Sequence, residues 1–333
     1  IALDSGDTVV SVSIGISTYP SDGDTVEDLL KHASFALNAA KRDGRANDHF
    51  YSATMNNDAF KRFTMEADLR KALDNGEFEL WYQPKVLAAN EQVVGAEAVI
   101  RWRHPRVGMI PRNEFIEIAE QSGLIVPIGE WITAQACHQL GQWANTDIDD
   151  LAVAINLSAA QFDVRGIEKL LISSVSRNSI SPHKLELELT ESLVMRDLDD
   201  TVAILERLKA ENFRIWIDDF GTGYASLTNL LSLPTDEVKV DGTFILTIEK
   251  DADSRAITGS ILDMAAKMHI DTVSEGIETA HQLAFVRDNG STHGQGFLLG
   301  RPMSSADATA LARIGRIDIE ALLPSGEGRL LER

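Results

Sequence analysis

Asp218 and Asp219 close an apolar run, Phe213-Arg-Ile-Trp-Ile217, and lead through Phe220 into Gly221-Thr-Gly223. A strand that ends in paired carboxylates and a glycine turn gathers negative charge at one edge of a sheet. Left to themselves the two groups repel, and one carboxyl keeps its proton above its ordinary pKa. Divalent cations remove that conflict, because hard ions take oxygen ligands, and metal-activated water is a common agent of attack on a phosphodiester. A solitary Asp-Asp corner is more often a solvated turn. Here Glu97, Asn156, Glu188 and Glu275 also fall near the ends of apolar segments. Buried together without partners, such ions would cost several kcal/mol each; two dications in one cluster would relieve them. The donor set also selects the ion. The eight histidines show no His-Glu-x-x-His spacing and there is one cysteine, so an all-oxygen site for Mg²⁺ or Mn²⁺ is expected rather than a zinc site. Neither a Walker loop nor a GxGxxG turn is present, which leaves ATP-type and NAD-type chemistry without support.

These residues need a frame that brings them together. After Gly76 the sequence settles into eight strand patterns, at 78–86, 92–102, 151–158, 184–190, 213–219, 236–241, 270–275 and 294–299. From the third onward they are separated by amphipathic helical segments, as in Ile257, Ile261, Met264, Ala265 and Met268. The expected fold class is α/β, a (β/α)8 TIM-like barrel, with an open doubly wound sheet as the alternative. The connection 88–91 is too short for a crossover helix, so the first strand should run antiparallel to the second. The long gap 103–150 has room for helices at about 111–121 and 127–144. Barrel enzymes carry their reactive groups at the carboxyl ends of the strands. There, alternation turns Glu97 and Arg101, Asn156, Glu186, Glu188 and Thr190, and Lys239 and Asp241 to one face, with Gln295 near the start of the last strand. Taken one at a time these residues have plainer explanations: a salt-bridged Glu, a Lys reaching for water, an Asn in a turn.

Ahead of the barrel lie a strand pattern at 8–18, a helix at about 25–42 closed by Gly44, and a second helix at about 55–74. The expected division is a short α+β fragment at 1–52, a connecting helix at 53–76, the barrel at 77–315 and a loose tail at 316–333. The abrupt start at Ile1 reads as part of a longer protein. The net charge of −20 argues against binding a nucleic-acid polymer, although bound dications leave a phosphate ligand possible. Cys137 sits in a helical stretch and permits no disulfide framework within the chain. With no signal peptide and no apolar run of spanning length, the cytoplasm is the expected compartment.

The motifs resemble those of the EAL-domain cyclic di-GMP phosphodiesterases of bacteria across about 66–312. They are Tyr82-Gln-Pro-Lys85, Glu97-Ala-Val-Ile-Arg-Trp102, Ile155-Asn-Leu-Ser158, Glu188-Leu-Thr-Glu191, Asp218-Asp-Phe-Gly-Thr-Gly223, Lys239-Val-Asp241, Glu275-Gly-Ile-Glu278 and Gln295-Gly-Phe297. The resemblance implies hydrolysis of cyclic di-GMP to linear pGpG. It implies that Glu97, Asn156, Glu188, Asp218, Asp219 and Glu275 ligate two metals, with Asp219 able to bridge them. Lys239 would orient and help deprotonate the attacking water, and Gln295 would hold that water or a metal-bound one. Glu191 would brace the loop after strand five. Gln83, Arg101, Asp241 and Glu278 would contact phosphate or guanine. A homodimer is likewise implied, as are upstream GGDEF or sensor segments that could tether a longer protein to a membrane.

Two departures stand out: Val99 replaces the family's signature Leu, and Ser291-Thr292 replaces a frequent Cys-Asp. The first fifty residues resemble the end of a GGDEF (diguanylate cyclase) domain through Ser11-Val-Ser-Ile-Gly15, Ala39-Ala-Lys41 and Gly44-Arg45. The loop that makes such a domain a cyclase is absent, and Ser34 and Asn38 replace residues that are commonly Asp and Tyr. Two other readings remain beside catalysis: a non-catalytic cyclic di-GMP receptor, and a barrel that only relays a signal. If the catalytic reading holds, Glu97→Ala and Lys239→Ala should depress turnover by orders of magnitude and leave the fold intact.

Overall fold

The computed structural model describes residues 2–3, 6–7, 11–42, 46–162, 164, 166–196, 198–221 and 233–319. Residues 8–10 of the expected first strand, Gly44-Arg45, Thr222-Gly223 with the rest of the loop after the aspartate pair, and most of the expected tail lie outside the described residues. The chain divides into two compact units, 1–71 and 72–333.

In the first unit the strand Ile14–Ile16 pairs in parallel with Asp48–Phe50, and the helix Val26–Arg42 packs on them. Gly15 permits that approach, since a Cβ there would lie 2.2 Å from Ala33 O and Leu37 N. The strand Asp48–Phe50 is polar and short, and no apolar alternation marks it in the sequence. The helix Ala53–Ala72 follows.

The second unit is built on a closed barrel. Its strands are β1 (Phe78–Leu87), β2 (Val93–His104), β3 (Ala152–Leu157), β4 (Leu185–Thr190), β5 (Arg214–Phe220), β6 (Glu237–Val240), β7 (Asp271–Ser274) and β8 (His293–Gly294). β2 through β8 run parallel in sequence order, and β1 is antiparallel to both its neighbours, β2 and β8. The short strand Gly108–Pro111 adds an antiparallel flap to β2; it was not foreseen. β8 holds only two residues, far less than the expected 294–299. Beyond it the apolar run bonds to the loop after β7 instead of to a strand: Ile277 N donates to Gln295 O, and Leu298 N donates to Ile277 O.

Alternation decides what faces inward. The outward residues Leu185, Leu187, Leu189, Ile215, Ile217, Val238 and Val240 are buried. The middle of the barrel is filled by Ala154, Trp216 and Val273, where a small residue on one strand leaves room for an indole on another. Below this layer lies a buried ionic floor. Lys85 Nζ donates to Glu186 Oε2 at 3.0 Å, stands 3.5 Å from Glu237 Oε2, and lies 3.4 Å from the Trp216 ring centroid. His293 Nδ1 meets the other oxygen of Glu237. The opposite end, above Trp216, holds the carboxyl ends of the parallel strands.

Candidate active site

Glu97 on β2, Asn156 on β3, Glu188 on β4, Asp218 on β5, Lys239 on β6 and Glu275 just past β7 all occupy inward positions near the upper end of the barrel. Register carries them to similar heights, with Asn156 opposite Glu188, and Glu97 opposite Gln83 of β1. Gln295 follows β8 directly. Successive residues of a strand point to opposite faces, so Asp218 and Asp219 should part company. They do not, because the β5–β6 register shifts between Ile217 and Phe220 and Asp219 takes a left-handed φ of 56°. The bulge turns the second carboxylate toward the mouth beside the first. Gly221, the last described residue after β5, donates its N–H to Glu191 Oε2 at 3.2 Å.

At the centre is the Lys239 ammonium, 1% exposed. Its Nζ lies 2.6 Å from Glu275, 3.0 Å from Glu188, and 3.5 Å from both Glu97 and Asp218. Glu97 also accepts from Asn156 Nδ2 and Gln295 Nε2, each at 2.8 Å. The charges respond to this crowding. Burial opposes ionisation of Glu97, yet Lys239, Arg112 and the two amides hold its pKa down to about 2. Burial, with the neighbouring carboxylates, pushes Glu275 to about 7 and Glu188 well above the carboxylate range. Burial followed by Asp218 and Asp241 raises Asp219 to about 6. Burial alone would lower Lys239, but four carboxylates hold it well above its ordinary value.

One ammonium cannot neutralise this many acids. As the side chains stand, no three His, Cys, Asp or Glu among the described residues are arranged to hold a metal ion, because Lys239 reaches into the space between them. The donor set nonetheless fits divalent cations. Glu188 Oε1 and Gln295 Oε1 are buried acceptors with no hydrogen-bond partner, and the carboxylates and amides around them carry the hard oxygens that such ions take.

Above the acids opens a cavity of about 720 Å³, lined by Gln83, Glu97, Arg101, Asp218, Asp219, Lys239, Glu275, Glu278 and Gln295 among others. Glu188 lies beneath Lys239, and Asn156 lines an adjoining cavity. Besides Glu188 and Asn156, two further expected site residues do not line the main cavity. Asp241 caps the helix Gly242–Thr247, accepting from Thr243 N at 2.8 Å, and Glu191 is buried at the start of its own helix. Among the lining residues, Phe297, Arg301 and Arg112 had no expected role. Phe297 stands exposed at the rim with the Arg301 guanidinium 4.1 Å from its ring centroid. Arg112 approaches Glu97 at 3.7 Å. Its place directly after Pro111 at a helix start was the only available signal. Val99, at the position of the family's Leu, also lines the cavity.

Fold and site define a (β/α)8-type barrel with an acid-rich mouth at the carboxyl ends of its strands. The EAL domain family model matches residues 66–302, and the chain belongs to that family. The family model described as diguanylate cyclase, GGDEF domain, matches residues 2–47. Among curated proteins the chain is 42% identical over 301 residues to the bifunctional diguanylate cyclase/cyclic di-GMP phosphodiesterase MucR of Pseudomonas aeruginosa, covering 90% of this chain and 44% of MucR. It is 38% identical over 318 residues to the cyclic di-GMP phosphodiesterase NbdA of the same organism, covering 96% and 41%. The chain therefore spans less than half the length of these relatives. Among solved structures, that of the PaMucR phosphodiesterase in complex with c-di-GMP superposes with a TM-score of 0.72 at 43% identity, covering 74% of this chain and 99% of that one.

Proposed function

We propose that this chain hydrolyses cyclic di-GMP to linear pGpG with two divalent cations, Mg²⁺ or Mn²⁺. The observation that carries the reading is the convergence of Glu97, Glu188, Asp218, Asp219 and Glu275 beneath one cavity, joined by the amides of Asn156 and Gln295. These five acids and Asn156 would hold the cations. When bound, such ions supply a water of lowered pKa and a positive field for the phosphodiester oxygens. Gln295, fixed through Glu97, orients the nucleophile. Lys239 is held charged by its neighbours, which suits it to orienting water and offsetting negative charge rather than accepting a proton. Gln83, Arg101 and Glu278 line the wall where guanine and phosphate would rest, while Glu191 braces the loop after β5. Asp241 caps the following helix through Oδ1 and also acts on Asp219, so its contact with the ligand would be made beside the aspartate pair. In the reaction the water oxygen bonds to phosphorus, the P–O3′ bond breaks, and the proton passes to O3′.

A homodimer, a cytoplasmic site of action and an upstream sensory segment belong to the same reading, as does the division of the chain at 1–52, 53–76, 77–315 and 316–333. Support for further segments comes from the greater length of the relatives and from the match at residues 2–47. No described helix is long and apolar enough to cross a membrane. A second reading, a cyclic di-GMP receptor without turnover, is favoured by one observation: the ammonium placed among the acids.

Incubating the purified chain with cyclic di-GMP and Mg²⁺ or Mn²⁺, against a chelated control, decides between them by chromatography of the nucleotides. Cation-dependent pGpG supports the enzyme. Binding without product supports the receptor, and neither outcome would leave only a relay.

A further inference from the structure

Arg112 is a cation at the mouth for which the family motifs give no role. It opens the helix Arg112–Gln121 immediately after the flap strand. That flap brings it beside Arg101, whose pairing partner is Pro111. Its guanidinium is 41% exposed and touches its neighbours only at long range, 3.7 Å to Glu97 Oε1 and 3.5 Å to Asn156 Oδ1. Its charge also acts on Glu120, with which it lines the adjoining cavity. Arg112 lines both the main cavity and the adjoining one of about 460 Å³. Arg101 lines the main cavity too, close enough to feel the repulsion of Arg112. Two like charges thus converge on one wall of a cavity whose floor is acidic. Glu97 offsets part of that repulsion from the floor, and an anion seated between the two groups would offset the rest. The ligand best matched to two planar guanidinium forks is a phosphate group, which accepts paired N–H donors at short distance.

We propose that Arg112 and Arg101 together clamp a phosphate of the nucleotide, with Arg112 giving up its two long contacts to Glu97 and Asn156 as the phosphate arrives. The inference rests on the reading that the cavity takes a cyclic dinucleotide. Because the clamp acts on the phosphate in the bound substrate as well as in the transition state, losing it raises KM and leaves kcat nearly unchanged.

The test compares the full chain with Arg112→Ala and Arg112→Lys in steady-state hydrolysis of cyclic di-GMP with Mn²⁺. Mn²⁺ affinity is measured alongside by titration, and folding is checked by thermal melts. In Arg112→Ala the KM should rise about ten-fold or more with kcat within about three-fold. Arg112→Lys should fall between, and millimolar guanidinium should restore part of the lost affinity. If the wild-type chain binds without turnover, the dissociation constant takes the place of KM. Unchanged KM in Arg112→Ala, with an active wild type, overturns the clamp alone. So does a fall in kcat accompanied by altered Mn²⁺ affinity, which would mean that Arg112 only positions Glu97 and Asn156. A wild-type chain that neither binds nor turns over the nucleotide overturns the functional reading and the clamp with it.

Discussion

Replacing Lys239 with methionine removes one charge and keeps an unbranched side chain of similar reach. Four carboxylates within 3.5 Å then face one another around an apolar thioether. Breaking a buried ion set by removing one partner costs about 3–5 kcal/mol. The cost depends on pH, and its sign follows from the raised carboxyls. Glu275, at about 7, and Glu188, raised by burial and its acidic neighbours, retain protons in the folded state, whereas in the unfolded chain carboxyls titrate near roughly 4.3. Folding therefore takes up protons above that point, and stability falls as pH rises through about 7. In Lys239→Met the acids lose their counter-charge and the fall steepens. Urea denaturation in chelator should show a loss of about 3–5 kcal/mol at pH 8, smaller by at least about 1.4 kcal/mol, one pKa unit, at pH 5.5. Added Mn²⁺ should recover part of it. Turnover should fall by orders of magnitude. A variant as stable as the wild type at pH 8, or one equally destabilised at both pH values, would refute this account of the acid cluster. The burial of Nζ also revises the expectation that removing Lys239 leaves the fold untouched.

Two further outcomes are expected. Val99→Leu adds one methylene to the cavity wall, worth about 0.8 kcal/mol when buried, so steady-state kinetics should show KM within about four-fold of the parent. Lys85→Met strips the floor of the cation between Glu186 and Glu237. It should destabilise the chain by about 3–5 kcal/mol in urea melts. Turnover per folded molecule should stay within a few-fold, since the Trp216 layer separates that floor from the mouth.

Much of this architecture was legible because inward and outward residues differ so sharply in β3, β4 and β6, and because a connection of four residues can only join antiparallel strands. The convergence of Glu97, Glu188, Asp218, Lys239 and Glu275 followed from the same alternation. What escaped was local backbone geometry. Alternation alone sends Asp219 away from Asp218, and only a bulge restores it. The apolar run after Gly294 reads as a strand, yet its backbone bonds go to the loop at Ile277. Strand periodicity also could not register that Asp241 caps the helix that follows it. Arg112 lies fifteen positions from Glu97, with the flap between them, and no repeat in the sequence links the two.

The cylinder is closed with very unequal strength around its circumference. β1 joins β2 along nearly its whole length, from Phe78 opposite Trp102 to Val86 opposite Val93, as a local hairpin that can zip early. Its other edge meets β8 at Leu87 opposite His293 and Val86 opposite Gly294, with a separate bridge between Tyr82 and Met303, and these partners emerge some two hundred residues later in synthesis. The seam between β7 and β8 is equally short, so β8 is held in the cylinder by two residue pairs on each side. Gln295 follows that two-residue strand directly, so its amide reaches Glu97 from the most sparsely paired stave of the wall.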